Sequence, residues 1–225
     1  MGDLRRLIAF DLDGTLIDSR RDLADSANAL LQELGGPALS EEAIGRMVGE
    51  GAAVLVGRTL AEAGLANVIV ADVLPRFLQI YDTRLLHHTR VYEGIADVVR
   101  RARTQARVVV LTNKPAHPSE RILAGLGIRD LFDEVIGGDG PWPRKPDAAG
   151  LEAAMTRAGA SPERTLLVGD SAIDVETARR ASARCCVAAY GFSAWTIDDA
   201  AAAGAWSVAA PSELPAVFDL FTAGA

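Results

Sequence analysis

"FDLDGTL", residues 10–16, follows an apolar run and places two aspartates one residue apart. At a separation of about 5 Å and an effective dielectric constant near 20, two carboxylates repel each other by roughly 3 kcal/mol. A fold that kept both groups charged would bear this repulsion unless a positive charge lay close to them. The stretch therefore predicts a buried strand that is followed by a site for a cation.

The chain around this stretch alternates short apolar runs with amphipathic helical patterns. Almost no polar residue interrupts the runs, as is typical of strands in a parallel sheet that is covered on both faces. The alternation predicts an open, doubly wound α/β sheet. Strands are predicted at residues 7–12, 107–113, 134–138, 165–170 and 185–191, and helices near residues 93–105, 118–126, 147–158, 172–182, 194–203 and 212–222.

A helical insert interrupts the alternation between the first and second of these strands. Apolar residues recur at helical spacing from Leu23 to Leu34, and the glycine pair at 35–36 then ends the helix. Further helices are predicted near residues 41–48, 50–63 and 68–86. We therefore predict two domains, a core formed by residues 1–18 and 89–225 and an all-helical insert formed by residues 19–88.

Composition excludes several classes of partner. The formal net charge of −7 disfavours nonspecific binding to nucleic acid or to an anionic membrane. No apolar run approaches the roughly 20 residues of a membrane span, and the first residues do not form a signal peptide. Cys185 and Cys186 are adjacent, so on a strand they would face opposite sides and make poor disulfide partners. We expect a soluble, cytoplasmic protein.

Polar side chains gather where three of the predicted strands end. Because ligands bind along the carboxyl edge of an open α/β sheet, residues far apart in sequence are expected to converge there. Four carboxylates with no clustered His or Cys indicate Mg²⁺ rather than zinc. The alternative is a set of unrelated aspartates in turns and helix caps. The clusters are Asp11 and Asp13, then Thr112, Asn113 and Lys114, then Asp170, Ser171 and Asp174.

Other residues near these strand ends suit a phosphoryl group. Gly14 permits a sharp turn, Thr15 and Thr112 offer hydroxyl groups, and Lys145 precedes a proline in the loop before a helix. Such a lysine is ordinarily a solvated surface residue. Beside clustered carboxylates and a magnesium ion, however, an ammonium group and hydroxyl donors would bind the oxygens of a transferring phosphoryl group.

Four motifs in order resemble those of the haloacid dehalogenase superfamily, in its aspartate-nucleophile phosphatase branch. They are "DLDGT", the strand-terminal Thr112, Lys145 in "KP", and "GDSAID" from Gly169. The resemblance implies a Rossmann-like core, with the helical insert acting as a cap that closes over the active site. Asp13 favours phosphate esters, because the dehalogenases of the superfamily lack an acid at that position.

The resemblance also implies a role for each matched residue. Asp11 would be the nucleophile that forms an aspartyl-phosphate, and Asp13 would be the general acid and base. Thr112 and Asn113 would hold a phosphoryl oxygen, and Lys145 would offset negative charge. The implied Mg²⁺ ligands are Asp11, the backbone carbonyl of Asp13, and Asp170, while Asp174 would bind the metal through water or hold Lys145.

Local stretches are similar to the phosphoglycolate phosphatases and imply 2-phosphoglycolate as the substrate. The stretches are "MVGEGAAVLVGRTL" in the insert and "LTNKP", "VIGGD" and "RKPD" in the core. Gly49 and Arg58 are the substrate-binding candidates of the insert, because both lie in the stretch that resembles those enzymes. An arginine such as Arg58 can bind a carboxylate bidentately. Ala148, Gly150 and Ser182 depart from the pattern of the family. Alternatives are a phosphatase of another small metabolite, such as a sugar phosphate or pyrophosphate, or a β-phosphoglucomutase-like mutase. A non-enzymatic phospho-accepting switch fits poorly.

Overall fold

The fold is seen in a computed structural model, which describes residues 5–193 and 195–223. The strands are β1 (Leu7–Phe10), β2 (Ile17–Asp18), β3 (Arg90–Val91), β4 (Arg107–Leu111), β5 (Glu134–Ile136), β6 (Thr165–Gly169), β7 (Arg184–Ala188) and β8 (Trp206–Val208). The helices are α1 (Arg20–Glu33), α2 (Glu41–Gly45), α3 (Ala52–Glu62), α4 (Val70–Asp82), α5 (Ile95–Arg103), α6 (Ala116–Gly125), α7 (Ala149–Ala158), α8 (Ala172–Arg180), α9 (Ile197–Ala202) and α10 (Leu214–Ala223).

Six of the strands form one parallel sheet in the order β5-β4-β1-β6-β7-β8. All four residues of β1 are fully buried, and they alternate between two apolar layers. Ile8 and Phe10 belong to the larger cluster, whereas Leu7 and Ala9 belong to a separate one on the other face. Phe10 also meets Phe218 of α10 edge to face, with ring centroids 6.3 Å apart. The predicted Rossmann-like α/β core, covered on both faces, is confirmed.

The sheet contains one strand that the sequence did not indicate. β8 has three residues and lies at the edge of the sheet, where Trp206 and Ser207 are half-buried. So short a segment has no apolar run long enough to stand out. The helix predicted at 194–203 is observed as α9, and Ala194 lies outside the described residues.

The two adjacent cysteines lie on β7 and contribute to opposite faces, as predicted. Cys185 packs in the smaller apolar cluster and Cys186 in the larger one. Both are buried and free. Among the described residues, none of the helices combines the length and the apolar character that crossing a bilayer requires.

Residues 19–88 are all described and contain α1 to α4 and no strand. Gly35 ends α1 with a φ of +75°, and the Gly36 amide then donates to the Leu31 carbonyl. The short antiparallel ribbon of β2 and β3 pairs Asp18 with Arg90, next to the predicted domain boundaries. Each strand of the ribbon has two residues, which is too short for a sequence pattern to reveal.

A buried carboxylate fixes the return of the chain from these helices to the sheet. Asp22 of α1 accepts hydrogen bonds from the amides of His88 and Thr89 and from the Thr89 hydroxyl, at 2.7–2.9 Å. Its side chain ties the start of the helical segment to the end of that segment. The placement of the four helices relative to the sheet therefore depends on long-range contacts such as these, which sequence alone does not reveal.

Candidate active site

Three adjacent strands of the sheet deliver the candidate residues to one edge. The Asp11 amide donates to the Val168 carbonyl at 2.9 Å, and the Thr112 amide donates to the Ile136 carbonyl at 3.0 Å. These bonds continue the sheet by one residue beyond β1 and β4. Asp170 follows β6, which pairs with β1 on its other side. The residues after β4, β1 and β6 therefore lie side by side.

Lys145 lies at the centre of this edge, although it comes from the loop before α7. Its Nζ is 2.9 Å from Asp11 Oδ1 and 2.6 Å from Asp174 Oδ1, and all three side chains are buried. Burial lowers the pKa of Lys145, but Asp11 and Asp174 outweigh burial and raise that pKa above its ordinary value. The ammonium group is therefore a fixed positive charge.

Three buried carboxylates form a group that can hold a divalent cation. Oxygens of Asp11, Asp170 and Asp174 lie within 4.8 Å of one another. An all-oxygen set of carboxylates fits a hard cation such as Mg²⁺. Burial raises the pKa of Asp11 to about 6, although Lys145 opposes the rise. Burial and the neighbouring Asp174 raise the pKa of Asp170 to about 7. Loss of solvation on burial is the main cause of both pKa shifts, and the negative charge of Asp174 adds to each.

Asp170 and Asp174 differ in their hydrogen bonds. Asp170 Oδ2 accepts from the amides of Phe192 and Ser193, at 2.7 and 3.2 Å. Asp174 is bonded through both of its oxygens, Oδ1 to Lys145 and Oδ2 to the Ser171 hydroxyl at 2.7 Å. Of the two predicted arrangements for Asp174, the one in which it holds Lys145 is therefore seen as a direct contact.

Glycine at position 14 lets the first loop pack against Asp170. Its φ is +82°, and a Cβ there would lie 2.3 Å from Asp170 Oδ2. Any side chain at this position would displace a carboxylate of the candidate metal site. The turn predicted from "DLDGT" therefore has a second purpose, since it also makes room for Asp170.

Asp13 is paired with a different lysine. Lys114 Nζ lies 2.8 and 3.0 Å from the two Asp13 oxygens, and Ser19 Oγ donates to Asp13 Oδ1 at 2.5 Å. The same ammonium group lies over the ring of Tyr81 in α4, 4.8 Å from its centroid. Lys114 belongs to a polar cluster at a strand end, but no role in the site is predicted for it. The sequence does contain a signal for such a role, because Lys114 and Lys145 are its two lysines and Lys145 is a predicted site residue.

A cavity of about 60 Å³ opens between this edge of the sheet and the helical segment. This volume exceeds the roughly 10–15 Å³ that a cavity needs to admit one water. We call it the strand-end cavity. Its polar wall contains Asp11, Asp13, Thr112, Asn113 and Lys114, and its opposite wall includes Leu23, Gly49, Leu55, Phe77 and Tyr81.

Asn113 connects the two walls of the strand-end cavity. Its Nδ2 donates to the Gly49 carbonyl and to the Lys145 carbonyl, at 2.9 Å each. Gly49 has a φ of +125°, a backbone conformation that residues with a side chain rarely adopt. Thr112 Oγ1 accepts from the Lys114 amide at 3.2 Å, and this bond orders the residues of the strand end.

Two predicted substrate-binding residues lie elsewhere. Arg58 is about half-exposed, pairs with Glu50 and donates to the Met47 carbonyl, and it is not among the residues that line the cavity. Thr15 is fully buried, and its hydroxyl has no hydrogen-bond partner among the described residues. Its backbone carbonyl accepts from the Tyr190 hydroxyl at 2.9 Å. The roles assigned to Arg58 and Thr15 stay predictions.

Comparisons with known proteins agree on one family. The family model for haloacid dehalogenase-like hydrolases matches residues 8–188. A phosphoglycolate phosphatase of Pseudomonas putida is 40% identical over 197 residues, which cover 85% of this chain and 72% of that protein. One from Rhodospirillum rubrum is 39% identical and covers 89% and 90% of the two chains. The crystal structure of a predicted phosphoglycolate phosphatase from Haemophilus somnus has a TM-score of 0.88 at 29% identity and covers 97% of this chain and 100% of that one.

Proposed function

The chain belongs to the haloacid dehalogenase-like hydrolases and is a phosphoric monoester hydrolase; we propose that it uses Mg²⁺, forms an aspartyl-phosphate on Asp11, and acts on 2-phosphoglycolate. One observation carries the proposal. Asp11, Asp170 and Asp174 share a buried cluster with Lys145, and Asp11 also lines a small cavity together with Asp13.

In this proposal the residues of β1, β4 and β6 bind the phosphoryl group. Thr112 and the Asn113 amide donate to its oxygens, and Lys145 offsets their charge beside Asp11. Asp11 and Asp170 hold Mg²⁺, together with the backbone carbonyl of Asp13, and Asp174 keeps Lys145 in position. When bound, the Mg²⁺ supplies positive charge that offsets the repulsion between Asp11 and the phosphoryl oxygens.

Two chemical steps then follow. A carboxylate oxygen of Asp11 attacks phosphorus and forms an O–P bond, while the bond from phosphorus to the ester oxygen breaks. Asp13 gives its proton to the departing alkoxide. In the second step a water attacks the phosphorus of the aspartyl-phosphate and loses a proton to Asp13, which restores both aspartates and releases phosphate.

Cavity size favours a small leaving group. A cavity of about 60 Å³ suits the two-carbon group of 2-phosphoglycolate better than the ring of a hexose phosphate. The relatives named above are phosphoglycolate phosphatases, and each is more than one third identical to this chain.

We further propose that residues 19–88 act as a separate cap on the core formed by residues 1–18 and 89–225. Cap closure would exclude bulk water while the ester is cleaved. The buried, free cysteines suit a reducing compartment, and we propose a cytoplasmic enzyme.

The test is phosphate release from a panel of phosphorylated metabolites, with Mg²⁺ and with EDTA. We expect 2-phosphoglycolate to give the highest kcat/KM and EDTA to abolish turnover. Asp11→Asn should abolish turnover with every substrate. Asp97→Asn is the matched control, because Asp97 is largely exposed on α5 and pairs there with Arg100. Hydrolysis by Asp11→Asn at the wild-type rate would contradict the mechanism, and a stronger preference for β-glucose 1-phosphate would favour the mutase.

A further inference from the structure

Lysine is rare in this chain. Of its 23 lysine and arginine residues, two are lysines. Both lysines are buried near the carboxyl edge of the sheet, with exposed side-chain fractions of 7% for Lys114 and 3% for Lys145, and Lys114 lines the strand-end cavity. Burying an ammonium group is costly unless charged partners compensate it. The proposed chemistry places Lys145 beside the nucleophile, but it assigns Lys114 no contact with the substrate.

The Lys114 ammonium group borders the strand-end cavity. Two of the three N–H donors of lysine can face the Asp13 oxygens, and the ammonium group also interacts with Tyr81, over whose ring it lies. Of the described residues that line the strand-end cavity, Lys114 is the only cation. The neighbouring wall is apolar and includes Leu55 and Phe77. A negative charge that entered the cavity would meet this ammonium group in a weakly solvated environment.

The hydroxyl group of Tyr81, which also lines the strand-end cavity, is a second candidate donor. Tyr81 is 5% exposed, it lies in α4 beneath the Lys114 ammonium group, and its ring stacks on Phe77. Its hydroxyl has no hydrogen-bond partner among the described residues. Burial raises the pKa of Tyr81 to about 12, so the hydroxyl remains a neutral donor at physiological pH.

We propose that Lys114 and the Tyr81 hydroxyl form a subsite for a carboxylate on the leaving group of the substrate. The preferred substrates are then phosphomonoesters of short hydroxy acids, in which the carboxylate is separated from the ester oxygen by one carbon. This inference rests on the proposed function, because it assigns the phosphoryl group to the Asp11 side of the cavity.

The spacing along the cavity agrees with such a substrate. An acid that protonates the ester oxygen must lie about 2.6–3.2 Å from it. Lys114 contacts the proposed acid, Asp13, at 2.8 Å, so its ammonium group lies within about two hydrogen-bond lengths, roughly 6 Å, of an ester oxygen that Asp13 protonates. A carboxylate oxygen on the next carbon lies about 3 Å from the ester oxygen, at bond lengths of about 1.2–1.5 Å. Lys114 is therefore within reach of the carboxylate, whereas Arg58 is paired with Glu50 outside the cavity.

The first experiment compares two substrates of similar length, 2-phosphoglycolate and propyl phosphate, which lacks the carboxylate. A hydrogen bond to a charged group contributes about 1.5–3 kcal/mol, so Lys114→Met should lower kcat/KM for 2-phosphoglycolate by roughly 10- to 150-fold. That factor is the excess over the loss with propyl phosphate, whose turnover should itself fall because Asp13 loses its ammonium partner. Tyr81→Phe should show the same selectivity with a smaller loss, and Arg100→Met removes an exposed cation as the matched control.

The kinetic outcomes separate the subsite from the function on which it rests. Equal losses with both substrates would mean that Lys114 acts through Asp13 alone, and they would overturn the subsite while leaving the phosphatase intact. Wild-type enzyme that hydrolyses neither ester would contradict the proposed function itself.

A second experiment needs no variant, because two lysines give two resolvable NMR signals. The protein is labelled with ¹³C at lysine Cε and titrated, in Mg²⁺, with 3-phosphonopropionate or with propylphosphonate. Both phosphonates should shift the Lys145 signal, and 3-phosphonopropionate alone should shift the Lys114 signal strongly. Equal shifts of Lys114 with both compounds would overturn the subsite. An unmoved Lys145 signal with both would contradict the phosphoryl site.

Discussion

Divalent metal should stabilise this protein more at neutral pH than at acidic pH. Burial and Asp174 raise the pKa of Asp170 from 3.8 to about 7, and burial raises that of Asp11 to about 6. A carboxyl with a raised pKa in the folded protein contributes stability below its unfolded pKa, and this contribution is lost as pH rises through the folded value. Without metal, the protein should therefore lose stability between about pH 4 and pH 7.

The size of the effect follows from the same shifts. For Asp170, the rise from 3.8 to about 7 corresponds to a cost of roughly 4 kcal/mol when the buried group is ionised. Asp11 and Asp170 interact, so their costs do not simply add. Mg²⁺ at 100 times its dissociation constant would return about 2.7 kcal/mol. For a chain of this length, that free energy corresponds to about 5–11 °C in Tm.

The assay is thermal unfolding in excess Mg²⁺ and in EDTA, from pH 5 to pH 8. We expect Mg²⁺ to raise Tm by several degrees at pH 7.5 and by much less at pH 5, where protons already neutralise Asp170. Asp170→Asn removes a charge but keeps an acceptor for the Phe192 amide, so it should raise Tm in EDTA at pH 7.5 and abolish the response to Mg²⁺. A Mg²⁺ effect that is equal at both pH values, or larger at pH 5, would refute the reasoning.

Two further substitutions test the packing of the site. Lys145→Met leaves Asp11 and Asp174 buried without their cation, so we expect a loss of roughly 3–5 kcal/mol in the free energy of unfolding, measured by urea denaturation in EDTA, and no detectable phosphate release. Gly14→Ala should weaken Mg²⁺ binding at least tenfold in calorimetry, because the new Cβ would displace Asp170. Gly35→Ala is its control, since Gly35 has a similar positive φ but open space around it and should affect stability alone.

Sequence could predict the parts of the site that depend on the sheet. The apolar runs identify β1, β4 and β6, and a parallel sheet brings the residues that follow them to one edge. This rule is sufficient to bring Asp11, Thr112 and Asp170 together, and the "KP" motif adds Lys145. β8 could not be predicted, because three residues at a sheet edge give no periodic signal.

Residues that depend on how the helices lie over the sheet could not be predicted. Tyr81 meets Lys114 because Asp22 and the ribbon of β2 and β3 orient the helical segment, and no local pattern encodes that contact. The same limit applies to Arg58, whose helical position left its direction open until the ion pair with Glu50 was seen.

The two aspartates of "FDLDGTL" would repel each other, and the structure compensates each of them separately. Asp11 is paired with Lys145 and Asp13 with Lys114, so each carboxylate has its own ammonium group rather than one shared cation. Asp170 and Asp174 add two further charges to the edge, and four carboxylates with two ammonium groups leave a deficit of two positive charges. One divalent cation would supply that charge. Asp170 contacts amides rather than a lysine, and burial, together with the charges of Asp174 and Asp11, raises its pKa. The charge balance thus indicates both the valence of the metal and the carboxylate that most requires it.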